Sequence, residues 1–357
     1  MLSIPRLVID LPEPPVESID DVTGELSQLI EHERPRRTTS QPPPIPRPTS
    51  VPLIGDWHVG FELGRGGMST VHAVSHREFG KRAALKLSHS TIDGPSIGAK
   101  LFLREARVVQ LIDHPAIPDV FATGTHDDRP YLVMERLHGE NLAELVERGG
   151  VDRKRAIEIL LELCDVVAVA HEAGVVHRDL KLDNVFVLAE PTSRTRIKLL
   201  DWGFARVAGE ADPFQGMVAG TLSYVAPEQV LGDPITTATD IYSLGVVMYR
   251  LLLGQAAFTS ASDVDLARLH LRTPPAHPSL LWREIPKPLA ALLIAMLARE
   301  PLCRPSLAEV RSALQSTHGR RRLFSLKPSR VPAHVLRRVF GAATAIVSAI
   351  AGAAAML

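Results

Sequence analysis

The chain is poor in cysteine, with only Cys164 and Cys303 among 357 residues, and it has no C-x-x-C pair or Cys/His spacing of the zinc-site kind. This excludes a disulfide-stapled scaffold and predicts two structural thiols in a reducing compartment. Excess charge is missing too. Forty basic residues offset 40 acidic ones, so a globally basic nucleic-acid binder is excluded and no nucleic-acid partner is expected. The N-terminus lacks a basic start followed by an apolar run. Asp10 and Glu13 come close behind a short apolar patch broken by Pro5, so export through a signal peptide is not expected. A further absence lies inside the neutral total: no Asp or Glu follows Glu309, whereas eight Lys or Arg do. The C-terminal tail is therefore a separate electrostatic object.

The length leaves room for one large domain or two ordinary ones, and 45% hydrophobic with 22% charged residues is an ordinary globular composition. Eleven of the 28 prolines lie in the first 52 residues, culminating in Q-P-P-P-I-P-R-P-T-S at 41–50. Such a segment favours polyproline II over a packed core, so residues 1–50 read as a disordered Pro-rich arm. An amphipathic stretch near Leu26 to Ile30 could fold on a partner, and the Pro-rich arm could make the chain an adaptor that recruits SH3-like partners. From Trp57 the pattern turns to short strand-like runs: Val59, Phe61 and Leu63, then Val71 and Ala73, then Ala83 to Leu87. Residues 97–112 read as a helix, and apolar residues recur at three-to-four spacing through 153–173, 238–254 and 288–298. An α+β protein is implied, with a small antiparallel β lobe followed by a larger helical lobe. Residues 315–338 form a basic linker.

Residues 339–357 contain no charge and directly follow Arg337 and Arg338. As a helix they would extend about 28 Å, against about 30 Å of hydrocarbon. Ala345, Ala349 and Ala353 recur at the four-residue spacing that lets helices pair closely in lipid. The segment is a candidate C-terminal transmembrane helix. Arg320 to Arg322, Lys327 and Arg330 would then lie beside anionic lipid at the inner face of the cell membrane, with the rest of the chain cytoplasmic. An Ala-rich helix packed on protein, or a truncated longer chain, is the alternative.

Three constellations carry chemistry. Gly64-Arg65-Gly66-Gly67-Met68-Ser69-Thr70-Val71 sits between two strand-like runs, where glycines let backbone N–H groups approach phosphate oxygens. Taken alone, such glycines are more often a tight turn. No G-K-[ST] follows, which excludes a P-loop, and a strand rather than a helix comes next, which disfavours a dinucleotide fold. Lys86 ends the apolar strand A-A-L-K, and Glu105 follows nineteen residues later on the expected helix. A buried ammonium needs such a carboxylate, although a surface lysine beside an unrelated helix charge would look the same. The third constellation is His177-Arg178-Asp179-Leu180-Lys181-Leu182-Asp183-Asn184, followed by Asp201-Trp202-Gly203. Phosphoryl transfer to a hydroxyl needs a carboxylate to orient the nucleophile and oxygen ligands to hold a cation on the phosphates.

On these ordered motifs, together with Ala226-Pro227-Glu228 and Asp240 in D-I-Y-S-L-G, residues 57–314 resemble the eukaryotic-type bacterial serine/threonine protein kinases. The resemblance implies a bilobal protein-kinase fold, ATP with Mg2+ (Mn2+ as an alternative) as cofactors, and transfer of the γ-phosphate to Ser/Thr hydroxyls of protein substrates, including autophosphorylation. It makes Asp179 the catalytic base, Lys181 the neutraliser of the moving phosphate, and Asn184 and Asp201 the metal ligands. Lys86 would hold the phosphates and Glu105 would fix Lys86. Gly64 and Gly66 would cover the phosphates. Adenine would lie between Leu63, Val71 and Ala84 above and Phe186 below, with Met134 as gatekeeper and the Glu135 carbonyl and Leu137 N–H as hinge partners. Thr221 would hydrogen-bond Asp179. Glu228 is expected to pair with Arg304, Asp240 to anchor backbone near the catalytic loop, and His171 to be a satisfied core histidine.

Three departures stand out. Ser69 replaces the third glycine of the phosphate loop. Trp202 replaces the usual Phe after Asp201, and its indole is expected behind the helix bearing Glu105; a Trp-held inactive state would make the chain an ATP-binding pseudokinase scaffold. Most informative, no Ser, Thr or Tyr lies between Asp201 and Gly220, although Arg178 would ordinarily bind a phosphate there. Glu210 or Asp212 is expected to supply the carboxylate instead, with loop ordering by homodimer contacts or an idle solvated loop as alternatives.

Overall fold

The computed structural model describes residues 52–319 apart from 93–97, 193–194, 213 and 215–219. The Pro-rich arm, nearly all of the basic linker and the candidate membrane helix lie outside the described residues. Among the described residues no helix is long and apolar enough to cross a membrane.

A six-stranded antiparallel sheet in the order β1-β2-β3-β4-β6-β5 opens the chain. Its strands are β1 (Leu53–Ile54), β2 (Trp57–Arg65), β3 (Ser69–His76), β4 (Arg82–Ser88), β5 (Val120–His126) and β6 (Arg129–Met134). The β5–β6 connection shows how local chemistry sets register. His126 faces Arg129 across the ladder, leaving a two-residue turn in which Asp127 and Asp128 take φ of 48° and 59°. That is the left-handed pair a tight hairpin requires, and aspartate tolerates it. Period-two alternation on β4 sends Ala83, Leu85 and Leu87 to one face, where they pack with Trp57, Val74, Tyr131 and Val133. Lys86 therefore points to the other face. There helix α1 (Gly98–Val108) lies, with Phe102 and Ala106 packed on Leu132. The helix expected over 97–112 tightens after Val108 into a 3-10 turn, Val109–Leu111.

The expected alternation on β2 is present in sequence but does not bury a face. Phe61 is 63% and Leu63 41% exposed, and neither joins the apolar cluster of the lobe.

The second lobe follows strand β7 (Gly139–Asn141). Its helices are α2 (Leu142–Glu147), α3 (Arg153–Glu172), α4 (Pro227–Leu231), α5 (Thr237–Leu253), α6 (Asp263–Arg272), α7 (Pro278–Leu281), α8 (Lys287–Met296) and α9 (Leu307–Gly319). Between α3 and α4 run β8 (Val175–Val176), β9 (Val185–Leu188), β10 (Ile197–Leu199) and β11 (Arg206–Val207). Helix α3 starts at Asp152, whose carboxylate accepts the Arg155 N–H at 2.8 Å. Helix α5 is apolar nearly all round and fills the centre of the lobe. A Cβ on its Gly245 would stand 2.9 Å from the Met296 Cβ, so glycine is what lets α5 and α8 approach. The fold is thus a β lobe joined to a helical lobe through residues 135–138.

Glu228 and Arg304 lock the base of the helical lobe. Arg304 forks onto Glu228 at 2.6 and 2.7 Å and donates to the carbonyls of Ala298, Ala238 and Arg299. Thr239 adds a hydroxyl donor to the same carboxylate at 2.8 Å. A buried pair is tolerable when its remaining donors and lone pairs are met in this way.

Candidate active site

The orientation of β4 brings Lys86 Nζ 2.9 and 2.7 Å from the two Glu105 carboxylate oxygens, and 2.7 Å from Asp201 Oδ1. Burial alone would lower the lysine's pKa, but Asp201 and Glu105 outweigh it and raise it. The same positive charge holds Asp201 below the usual carboxylate range. Three groups from β4, α1 and the segment after β10 are thereby drawn to one point at the mouth between the lobes.

Asp201 at φ 56° and Arg178 at φ 70° are the only non-glycine residues with positive φ among the described residues outside the β5–β6 turn. Such backbone persists only where its surroundings over-determine it. Asp240 provides that constraint at Arg178. It is fully buried on α5, and its carboxylate accepts the N–H of His177 at 2.8 Å and of Arg178 at 2.9 Å. His171 Nε2 lies 2.8 Å from the same carboxylate. Burial would raise the Asp240 pKa, but His171 and these backbone donors bring it below the usual value. Asp240 accordingly does anchor the backbone ahead of Asp179, and His171 is a satisfied core histidine.

His177 is fully buried, and burial depresses its pKa. In its neutral form Nε2–H faces the Leu200 carbonyl at 3.1 Å while Nδ1 accepts the Asp179 N–H at 3.2 Å, which assigns the tautomer. Trp202 packs against this ring at 4.4 Å between centroids, and its indole N–H points at the Leu199 carbonyl at 3.3 Å. The indole is expected behind the helix bearing Glu105; the contacts found for it are with His177 and the Leu199 carbonyl of the helical lobe. It is 1% exposed, so the larger ring is accommodated.

Asp179 is met on both oxygens. Oδ1 accepts the backbone N–H of Thr221 at 2.8 Å, and Oδ2 accepts Asn184 Nδ2 at 3.1 Å and faces Lys181 Nζ at 2.9 Å. Lys181 in turn donates to the Thr221 hydroxyl at 2.5 Å. Thr221 thus reaches Asp179 through its backbone, while its side chain serves Lys181. Gly220 explains this closeness: at φ 111°, a Cβ there would lie 2.9 Å from the Arg178 carbonyl. Asn184 also donates to the Asp179 carbonyl at 2.8 Å, which fixes the amide and turns its oxygen away from that loop.

The positions expected around adenine come from separate segments. Val71 pairs with Lys86 and Ala84 with Met134 in the sheet ladders, while Leu63 lies on β2. Glu135 and Leu137 lie in the link after β6. Phe186 on β9 pairs with Lys198 and Asn141 in the second lobe. A Cβ on Gly64 would meet nothing within 4 Å, so this glycine is not demanded by the chain's own packing.

Sequence reasoning passes over four residues here. Lys198, buried in the strand before Asp201, reaches Glu135 of the interlobe link at 2.5 Å and the Ile117 carbonyl at 3.2 Å. A lysine inside I-K-L-L was the available signal, because a buried ammonium must be paired. Arg104 and Arg107 on α1 both contact Glu210. His89 lies 3.0 Å by Nδ1 from the Gly67 carbonyl and 2.8 Å by Nε2 from Thr70 Oγ1, so it clasps the glycine-rich turn. Of the two acids expected near Arg178, Asp212 takes its guanidinium and Glu210 goes to α1.

A β lobe with a paired lysine is thus set over a helical lobe with a constrained aspartate loop. The protein kinase domain family matches residues 57–316, and the chain belongs to that family. It is 35% identical over 271 residues to the serine/threonine-protein kinase Pkn1 of Myxococcus xanthus, covering 74% of this chain and 39% of that protein. It is 33% identical over 276 residues to the serine/threonine-protein kinase PknB of Mycobacterium tuberculosis, covering 75% of this chain and 44% of that protein. The chain spans less than half the length of these relatives.

Proposed function

We propose that the chain is an ATP-dependent protein serine/threonine kinase, an activity supported by its family and by the character of its similar relatives. The observation that carries the reading is the convergence of Lys86, Asp179, Asn184 and Asp201 on one cleft. Asp179 is the base: it takes the acceptor hydroxyl's proton as the new O–P bond forms and the bond from the γ-phosphorus to the bridging oxygen breaks, leaving ADP. Lys181, already beside Asp179, stabilises negative charge on the moving group, and Thr221 holds Lys181. Lys86, positioned by Glu105, binds the phosphates beneath Gly64 and Gly66. Leu63, Val71, Ala84, Met134 and Phe186 enclose the adenine, and the Glu135 carbonyl and Leu137 N–H bond its edge.

Asn184 and Asp201 would hold the divalent cation. One carboxylate and one amide suit a hard ion that completes its shell with phosphate oxygens and water, as Mg2+ does and Mn2+ can. The fit is supported by the donor chemistry and by Asp201, whose side chain is 54% exposed to the cleft. When bound, the ion neutralises phosphate charge. Attachment of residues 339–357 to the inner face of a membrane is supported by their lack of charge and the basic run before them; alkaline carbonate extraction tests it, and full release into the soluble fraction would exclude it.

The test of the kinase reading is transfer of radiolabelled γ-phosphate to a generic acceptor protein by the purified full chain, beside Asp179→Asn and Lys86→Met. Transfer by the wild type and its loss by orders of magnitude in both variants is expected; equal incorporation by all three would refute it.

A further inference from the structure

The segment between Asp201 and Gly220 has no hydroxyl to phosphorylate, yet its two described acids are engaged. Arg178 is 3% exposed, and a buried guanidinium without a carboxylate is strongly unfavourable. It forks onto Asp212, Nη1 to Oδ1 at 2.8 Å with a second contact from Nη2 to Oδ2, and its carbon lies 6.0 Å from the Phe214 ring. Asp212 Oδ1 also accepts the Phe214 N–H at 3.0 Å, which pins the segment at this point. Two residues earlier, Glu210 takes Arg104 Nη1 at 3.0 Å and also contacts Arg107. Arg104 reinforces the joint by donating to the Ala205 carbonyl from Nε and Nη2, at 3.2 Å each.

The two clamps serve different parts of the site. Arg178 immediately precedes Asp179. Arg104 and Arg107 flank Glu105 on the same helix, and Glu105 sets Lys86. A loop phosphate would bring charge and acceptor oxygens to such arginines; here two carboxylates, each aimed at its own target, divide that task.

We propose that Glu210 and Asp212 are positioning residues which hold this segment and helix α1 in the catalytic arrangement without phosphorylation, so that the chain is an intrinsically switched-on kinase. The proposal rests on the kinase reading above, and the experiment separates the two. Turnover by untreated wild type tests the reading; the ratio of turnover after and before dephosphorylation tests the inference.

Wild-type full chain is treated with a broad-specificity phosphatase until its intact mass carries no phosphate. It is then freed of phosphatase, and initial rates are measured on a generic acceptor protein before autophosphorylation recurs. Turnover within about twofold of the untreated enzyme is expected. Glu210→Gln should lower kcat about tenfold or more through loss of a charged clamp, with a smaller change in KM for ATP, and should speed tryptic cleavage at Arg206. Arg104→Gln should act alike, and the double variant should be little worse than either, as expected for residues that act as a pair. Asp212→Asn should lower kcat, with Asp212→Glu restoring most of it; where Asp212→Asn fails to fold, the Glu210 and Arg104 set decides alone. Wild-type activity lost with its phosphate, including phosphate on Thr221 or Ser223, or full kcat in Glu210→Gln, would overturn the proposal.

Discussion

Lys86 Nζ stands 2.7 Å from Asp201 Oδ1 across 115 residues of sequence, joining the central β strands of one lobe to the loop that enters the other. The contact pre-sets two charges that a nucleotide's phosphates and cation would later divide between them. It also explains why Asp201 can be held at φ 56°: the ammonium and the packed indole of Trp202 fix both sides of the residue.

Asp201→Asn follows from this as a clean substitution. Asparagine accepts left-handed backbone as readily as aspartate and keeps its shape, so the melting temperature should shift by only a few degrees. Transfer should fall at least about a hundredfold, because the cleft loses the charge that would hold a cation. Parallel rate and melting measurements check both halves; an active variant would remove Asp201 from the machinery.

Arg304→Ala should be severely destabilising although it lies far from the cleft. It leaves the Glu228 charge, 3% exposed, buried without its counter-charge and with only the Thr239 hydroxyl donating to it, at a cost of roughly 3–5 kcal/mol. Arg304→Ala combined with Glu228→Gln should recover part of that loss, since the uncompensated charge is gone. Urea unfolding of the two variants gives the comparison.

His270 predicts an acid-sensitive fold. It is 1% exposed beside the Tyr242 hydroxyl at 2.8 Å, and burial pushes its pKa down to about 4. The folded state therefore prefers the neutral ring, while the unfolded chain takes up a proton near the ordinary value of about 6.5. Stability should be complete above that value and fall as pH drops toward about 4, by up to roughly 3 kcal/mol from this residue. His177, also depressed by burial, adds with the same sign. Unfolding midpoints between pH 7.5 and pH 5 test this; a flat profile, or one unchanged in His270→Gln, would contradict the assignment to His270.

His89→Ala should loosen the glycine-rich turn that its ring clasps at Gly67 and Thr70. The expected signature is a KM for ATP raised several-fold with kcat nearly unchanged, because the ring touches the loop and not the acceptor. Steady-state kinetics in ATP distinguish this from a general loss of folding, which would lower the active fraction without moving KM.

The cleft was legible in the sequence because its chemistry is concentrated in short contiguous runs. His177 to Asn184 is one such run, and Asp201 to Gly203 another. Lys86 and Glu105 were legible as a pair because a lysine closing an apolar strand raises the question of its counter-charge. Elements with a clear period were placed closely: the expected 153–173 is the helix Arg153–Glu172, and 288–298 is Lys287–Met296. What resisted reading were long-range choices between equivalent groups. Nothing local distinguishes Glu210 from Asp212 as the partner of Arg178; only the folded path sends one acid to helix α1 and the other to Arg178. Lys198 was missed for a related reason, since its partner Glu135 lies 63 positions earlier. The backbone route from Thr221 to Asp179 depends on a positive φ at Gly220, which the motif letters alone do not encode.

Trp202 also furnishes the molecule with an optical probe. The chain has three tryptophans, and this one is 1% exposed with its indole 4.4 Å from an imidazole. Any excursion of the segment after Asp201 must pull the indole off His177 and into a wetter setting, changing the colour and yield of its emission. With Trp57 and Trp282 replaced by phenylalanine, the residue that departs from the family's motif would let the opening and closing of the site be timed in solution without a label.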